Sequence, residues 1–228
     1  DMTYEEIMAE IEALSSEKLK EFSAKLTPTK DKIYGVKIPE LRRLAKRIAK
    51  EGGEEFLAHE KLSFEEKMLH GFTLCYRKSG FEEFCRDIES FADMIDNWAV
   101  CDCVASACTR ADKRQEEFLP VVERLIGSEK EFHRRFGLVM LLDHYVRERY
   151  AETIFSACER VKKGEYYVNM AIAWLLSVCY VKLNAETKAY LKRCTLDEDV
   201  LHKTKRKILE SFRVSAEDKE NIRKNGVK

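Results

Sequence analysis

The sequence predicts an all-α protein of helical pairs stacked into a curved array, and three observations carry that reading. Glycine and proline together account for 12 of 228 residues, about 5% against the usual ~12%, which argues against a turn-dense β architecture. Apolar residues recur with a period near 3.6 in one segment after another, and no stretch alternates long enough to read as a strand. Small residues return at a nearly constant spacing inside bulky apolar runs: Gly71, Ala105, Gly137 and Ala173, at steps of 34, 32 and 36 residues.

The elements follow in order. Thr3 with Glu6 is a capping box opening a helix over Tyr4 to Leu14, and Ser16 with Glu17 opens a second that runs to Leu26. Thr27 to Lys32 reads as a connection. Pro39 suits the first turn of the third helix, where its missing N–H would have no partner in any case. That helix continues to about Lys50 and stops at Gly52 and Gly53. Further helices are expected over 53–59, 63–78, 80–94, 97–111, 114–126, 129–147, 149–162, 165–182, 185–193, 197–212 and 215–224.

A repeat of this length holds one helix-turn-helix, and a small residue in each repeat lets the neighbouring helix approach closely. The expectation is therefore a HEAT-like α-solenoid with a concave face. At 228 residues the chain buries enough surface for a real core, and a single domain over 1–228 is expected.

The formal charge is zero, 41 basic against 41 acidic residues, so the global balance does not by itself point to a polyanionic partner. The distribution is uneven. Lys37 to Lys50 and His202 to Lys228 each carry net +5, whereas Glu51 to Glu66 and Glu82 to Asp96 each carry net −5. If the fold gathers the two basic stretches on one side, that side becomes a basic surface.

The eight cysteines, at 75, 85, 101, 103, 108, 158, 179 and 194, include no Cys-x-x-Cys pair, and no metal site is expected. Most lie in apolar helical runs, where a reduced cysteine behaves as a small hydrophobe, so a reducing, cytoplasmic setting is expected. The longest apolar run, Met170 to Val181, is too short to span a bilayer.

One constellation carries chemistry. Trp98 and Asp102 are four residues apart and project from one helical face. Arg134 and Arg135 lie one repeat on, at the head of an apolar helix, and Trp174 one repeat beyond that. With the small residue of each repeat as origin and ~100° per residue, Trp98, Asp102, Trp174 and Arg135 fall within an arc of about 140°. In a solenoid they would occupy adjacent columns of one surface. The plainer alternative is that the tryptophans are core and that Asp102 and Arg135 bridge two repeats.

These residues resemble the AlkD-like DNA alkylation repair glycosylases of the HEAT-like repeat superfamily, over nearly the whole chain. The resemblance rests on Gly35-Val36-Lys37-Ile38-Pro39-Glu40-Leu41-Arg42, on Asp96-Asn97-Trp98-Ala99-Val100-Cys101-Asp102, on His133-Arg134-Arg135 and on Tyr166 to Leu176, which contains Trp174. It implies excision of N3- or N7-alkylated purines from double-stranded DNA, with the lesion left in the stack and no cofactor. Asp102, Trp98, Trp174 and Arg135 would form the catalytic group. Lys37, Arg42, Arg43, Lys46, Arg47, Arg134, Lys203, Lys205, Arg206 and Lys207 would bind DNA. A monomer is expected, with no membrane partner. The competing reading is a non-catalytic HEAT-like module that binds damaged or branched DNA, or a protein partner, through the same surface.

Overall fold

A computed structural model describes residues 1–228, and the chain is all-α. It has fifteen α-helices, two 3-10 turns at Ala92–Met94 and Glu148–Tyr150, and no strand beyond one isolated bridge between Lys32 and Ser63. It divides into two compact units, Asp1–Arg110 and Ala111–Lys228. No helix is long and apolar enough to cross a membrane.

The first unit contains α1 (Tyr4–Leu14), α2 (Glu17–Leu26), α3 (Ile38–Lys50), α4 (Glu54–Ala58), α5 (Phe64–Tyr76), α6 (Phe81–Phe91) and α7 (Trp98–Ala107). The expected caps are present. Thr3 accepts from the Glu6 amide at 3.1 Å and Ser16 from the Leu19 amide at 3.3 Å, each satisfying an N–H that the helix leaves without an internal partner. Pro39 occupies the first turn of α3. Alternate helices form the main layer: α5 packs on α3 and on α7. Gly71 makes the second of these contacts possible, because a Cβ there would lie 2.5 Å from Val104 of α7 and 2.8 Å from Phe91 of α6.

The short helix α8 (Arg110–Lys113) begins where the first unit ends. The second unit contains α9 (Gln115–Ile126), α10 (Glu131–His144), α11 (Ala151–Arg160), α12 (Tyr166–Lys182), α13 (Asn184–Arg193), α14 (Glu198–Glu210) and α15 (Ala216–Asn225). Here α10 packs on α9 and α12, and α12 packs on α14. Gly137 lets α9 approach α10, since a Cβ at this position would meet Ile126 at 2.7 Å. Ala105 and Ala173, the other two small residues of the repeat pattern, are fully buried.

Several expected helices are shorter than the sequence pattern suggested. The 97–111 segment ends at Ala107, where Cys108 leaves helical geometry, and the 129–147 segment is helical only over Glu131–His144.

Two carboxylates organise the connection between α2 and α3. Glu65, almost fully buried, accepts from the main-chain amides of Tyr34 at 2.9 Å, Gly35 at 3.0 Å and Val36 at 3.4 Å. Asp96 accepts from the Thr29 hydroxyl at 2.8 Å, the Lys30 amide at 3.2 Å and the Asn97 side-chain amide at 2.9 Å. Burial alone would raise the Asp96 pKa. The bonds from Asn97, Thr29 and Lys30, with the nearby Lys67 charge, outweigh it and hold the carboxyl below its ordinary value. These pins matter because α2 has no buried residue of its own.

Candidate functional site

In the first unit, Asn97 caps α7 by accepting from the Val100 amide at 2.9 Å, which fixes Trp98 as the first helical residue and sets Asp102 one turn further on. Both side chains are half-buried, so neither is a core residue. The Trp98 indole N–H donates to the Leu26 carbonyl at 3.0 Å, which holds the ring against the end of α2. Around it opens a cavity of about 390 Å³ walled by Phe22, Leu26, Val36, Ile38, Phe64 and Ala99. Lys37, at the N-cap of α3, and Cys103 also line it. Burial pushes the Cys103 thiol up to about 11, with the Asp102 charge adding to the shift and Arg42 opposing it. Cys103 is therefore a neutral thiol at physiological pH and unsuited to act as a nucleophile.

The basic face of α3 divides in two. Arg42 stacks 4.4 Å above the Phe72 ring and donates to the Tyr76 hydroxyl at 2.9 Å, and Lys46 sits 5.4 Å above the Tyr76 ring. These two residues point toward α5, and Arg42 also acts electrostatically on α7 through Cys103. Arg43 is ion-paired with Glu40, and Arg47 forms two bonds of 2.7 Å to Glu10 of α1. Both arginines remain largely exposed, 64% and 59%, and exposed pairs of this kind are weak.

In the second unit, the first turn of α10 grips the start of α12. Glu131 accepts from the Tyr167 amide at 3.1 Å, and Arg135 donates to the Tyr167 carbonyl at 2.8 Å and lies 5.8 Å above the Tyr167 ring. Arg135 is only 7% exposed. Arg134 is completely buried and donates to the Glu165 carboxylate at 2.5 and 3.0 Å, to the Lys162 carbonyl at 2.5 Å and to the Glu129 carbonyl at 3.2 Å. Arg134 in turn holds Glu165 below the ordinary carboxylate range, through its hydrogen bonds first. The expectation that Arg134 binds DNA is corrected by this burial: its guanidinium ties two interhelical loops together and presents no surface to a phosphate.

Trp174 is half-buried in α12 and lines a cavity of about 350 Å³ with Lys182, Lys207, Ser211 and Arg213. A neighbouring cavity of about 210 Å³ is lined by Tyr166, Met170, Lys203, Arg206 and Lys207. Lys203 is paired with Asp199 at 2.6 Å. Lys205 points elsewhere: at ~100° per residue it lies about 200° round α14 from Lys203, on the side away from both cavities. Tyr166, Lys182 and Arg213 were not singled out in the sequence. Their only signal was placement one or two turns from Trp174, or just beyond the end of α14.

The four residues expected to form the catalytic group thus fall two to a unit, Trp98 and Asp102 in the first and Arg135 and Trp174 in the second. No three His, Cys, Asp or Glu side chains converge in a way that would hold a metal ion.

No curated protein matches the chain. A family model described as DNA alkylation repair enzyme matches residues 7–210.

Proposed function

The chain belongs to the DNA alkylation repair enzyme family, and we propose that it is a glycosylase that removes cationic N3- or N7-alkylated purines from duplex DNA. The scaffold in this reading is a HEAT-like α-solenoid with a concave basic face, and its catalytic residues are Trp98, Asp102, Arg135 and Trp174. The observation that carries the proposal is Trp98 itself: an aromatic plate outside the core, keyed to α2 by its indole N–H, with a carboxylate one turn along the same face.

The chemistry suits these residue types. Alkylation at N3 or N7 places a formal positive charge on the purine, which makes the base a good leaving group with little need of a general acid. Cleavage of the C1′–N bond sends the bonding pair to the base and develops positive charge on the deoxyribose, as in other oxocarbenium-like glycosyl transfers. Asp102 stabilises that charge and orients the attacking water. Trp98 and Trp174 pack against the sugar and attract the cationic lesion through their ring faces, each worth roughly 0.5–2 kcal/mol. Arg135, fixed on the Tyr167 carbonyl, holds the α10 edge of the site. Lys37, Arg42, Lys46, Lys203, Arg206 and Lys207 make salt-dependent contacts to phosphates.

The test is release of free base from a duplex containing N7-methylguanine, measured for the wild-type protein and for Asp102→Asn. The proposal expects release by the wild type and a loss of about 10²-fold or more in the variant, the scale on which a preorganised electrostatic group acts. No release by either protein, with equal salt-dependent binding, would replace the enzyme with a non-catalytic DNA-binding module.

A further inference from the structure

The start of α12 carries an exposed aromatic ring braced from several directions. Tyr166 is 60% exposed, unusual for a large ring at the head of an otherwise buried helix. Its ring meets Tyr167 edge-on, with centroids 5.0 Å apart and planes at 90°, and Tyr167 is backed in turn by Phe132 at 5.3 Å. The Lys203 ammonium lies 5.9 Å above the same ring. Lys203 is held by Asp199 at 2.6 Å, and Asp199 accepts from the Asn169 amide at 2.9 Å. Those two bonds also hold the Asp199 carboxyl below its ordinary pKa, Lys203 contributing most.

The helix end beneath Tyr166 is equally constrained. Glu131 and Arg135 fix the amide and carbonyl of Tyr167, and Arg134 holds Glu165. A solvent-facing ring with this much support has little rotamer freedom left to lose on binding, which is the condition for an efficient contact residue. Beside it lies the 210 Å³ cavity, roomy enough for a phosphate group, whose α14 wall supplies Arg206 and Lys207. His202 and Glu210 also line it. Lys203 is partly offset by Asp199, so most of the attraction for an anion at this cavity comes from Arg206 and Lys207.

We propose that Tyr166 and the α14 cations form a station for one nucleotide of a DNA strand, with the sugar or base against the Tyr166 ring and its 5′ or 3′ phosphate between Arg206 and Lys207. An aromatic face next to a pair of cations is the combination by which proteins hold nucleotides without reading their sequence. The station rests on the DNA-binding reading above and extends it to a residue outside the proposed catalytic group. Its task is to hold the strand, and it takes no part in bond cleavage.

The test uses duplex DNA binding by fluorescence anisotropy between 50 and 200 mM salt. Tyr166→Ala is expected to weaken binding about tenfold with an unchanged salt slope, because the lost contact is uncharged, and Tyr166→Phe is expected to retain most of the affinity. The Arg206→Ala/Lys207→Ala double variant is expected to weaken binding and flatten the slope of log K against log salt by about one to two. Wild-type affinity in all three variants, with a normal salt slope, overturns the station and leaves the DNA reading intact. Absence of any salt-dependent affinity in the wild type overturns both. A mononucleotide or inorganic phosphate that binds at Arg206 and Lys207 while duplex binding ignores these residues also overturns it, in favour of a free-anion site.

Discussion

The indole N–H of Trp98 reaches the main-chain carbonyl of Leu26 over 3.0 Å, so the aromatic plate at the head of α7 takes its orientation from the last residue of α2. Trp98→Phe keeps a ring and removes the donor. It is expected to cost about 1 kcal/mol of stability, the net worth of one hydrogen bond, and to speed amide exchange at the end of α2. Trp98→Ala is expected to lose more DNA affinity than Trp98→Phe, because it also removes the ring face. Denaturant melts, hydrogen exchange and anisotropy titrations check the three effects separately.

Arg134 is a structural cation. Arg134→Met leaves the Glu165 carboxylate and the Lys162 and Glu129 carbonyls without their shared donor. The Glu165 side chain is 38% exposed and can be rehydrated, but each buried acceptor left without its donor costs about 1–3 kcal/mol. The expected result is a large drop in the denaturation midpoint. Under conditions where the variant is still folded, its salt slope for duplex binding should match the wild type, since no phosphate contact has been removed.

Gly71 lets α7 approach α5 closely. Gly71→Ala places a methyl group 2.5 Å from Val104 and 2.8 Å from Phe91, an overpacking that costs about 1–3 kcal/mol. Val104→Ala in the same chain makes room for that methyl. The double variant is therefore expected to be more stable than the sum of the two single losses predicts, and a double-mutant cycle of midpoints measures the difference.

His70 gives the first unit a pH dependence. Burial, reinforced by the charges of Lys61 and Arg77, depresses its pKa to about 3. The unfolded chain takes up this proton near the ordinary value of about 6.5. Between about pH 6.5 and 3 the unfolded state therefore holds a proton that the folded state lacks, and stability falls as pH falls, by up to about 1.4 kcal/mol per unit. Above about pH 6.5 both states are neutral and the contribution is complete. His70→Phe, which keeps the ring beside Phe91, is expected to flatten the stability profile across that window in urea melts at stepped pH.

How much of this was legible beforehand depends on how local the cause is. Caps at Thr3 and Ser16 and the proline of α3 act within one turn, so the helices they open were placed correctly from sequence. The roles of Gly71 and Gly137 were legible as well, because a missing side chain inside a bulky run has few explanations other than a close neighbour. The four-residue α8 and the two 3-10 turns lie wholly or partly inside segments whose pattern reads as single helices, over 97–111, 80–94 and 149–162, because a single turn carries no periodicity of its own.

The site was read less evenly. Trp98 and Asp102 share a face because a helix dictates it. Arg134 and Arg135, adjacent in sequence, were indistinguishable until Glu165 and Tyr167, more than thirty residues on, were seen to take them. The partners of Arg43 and Arg47, Glu40 and Glu10, likewise become visible only in the folded chain. Glu65 and Asp96 look like ordinary acidic surface residues, and only the chain path of the 27–37 connection reveals them as acceptors.

That connection has a consequence for α2. A helix with no buried residue of its own, held by the chain on either side of it, borrows little rigidity from the hydrophobic interior. It should open and close as a separate cooperative segment while the other helices stay folded. A limited protease digest under native conditions would then nick the chain between Glu17 and Leu26 first, and Asp96→Ala would hasten that nick.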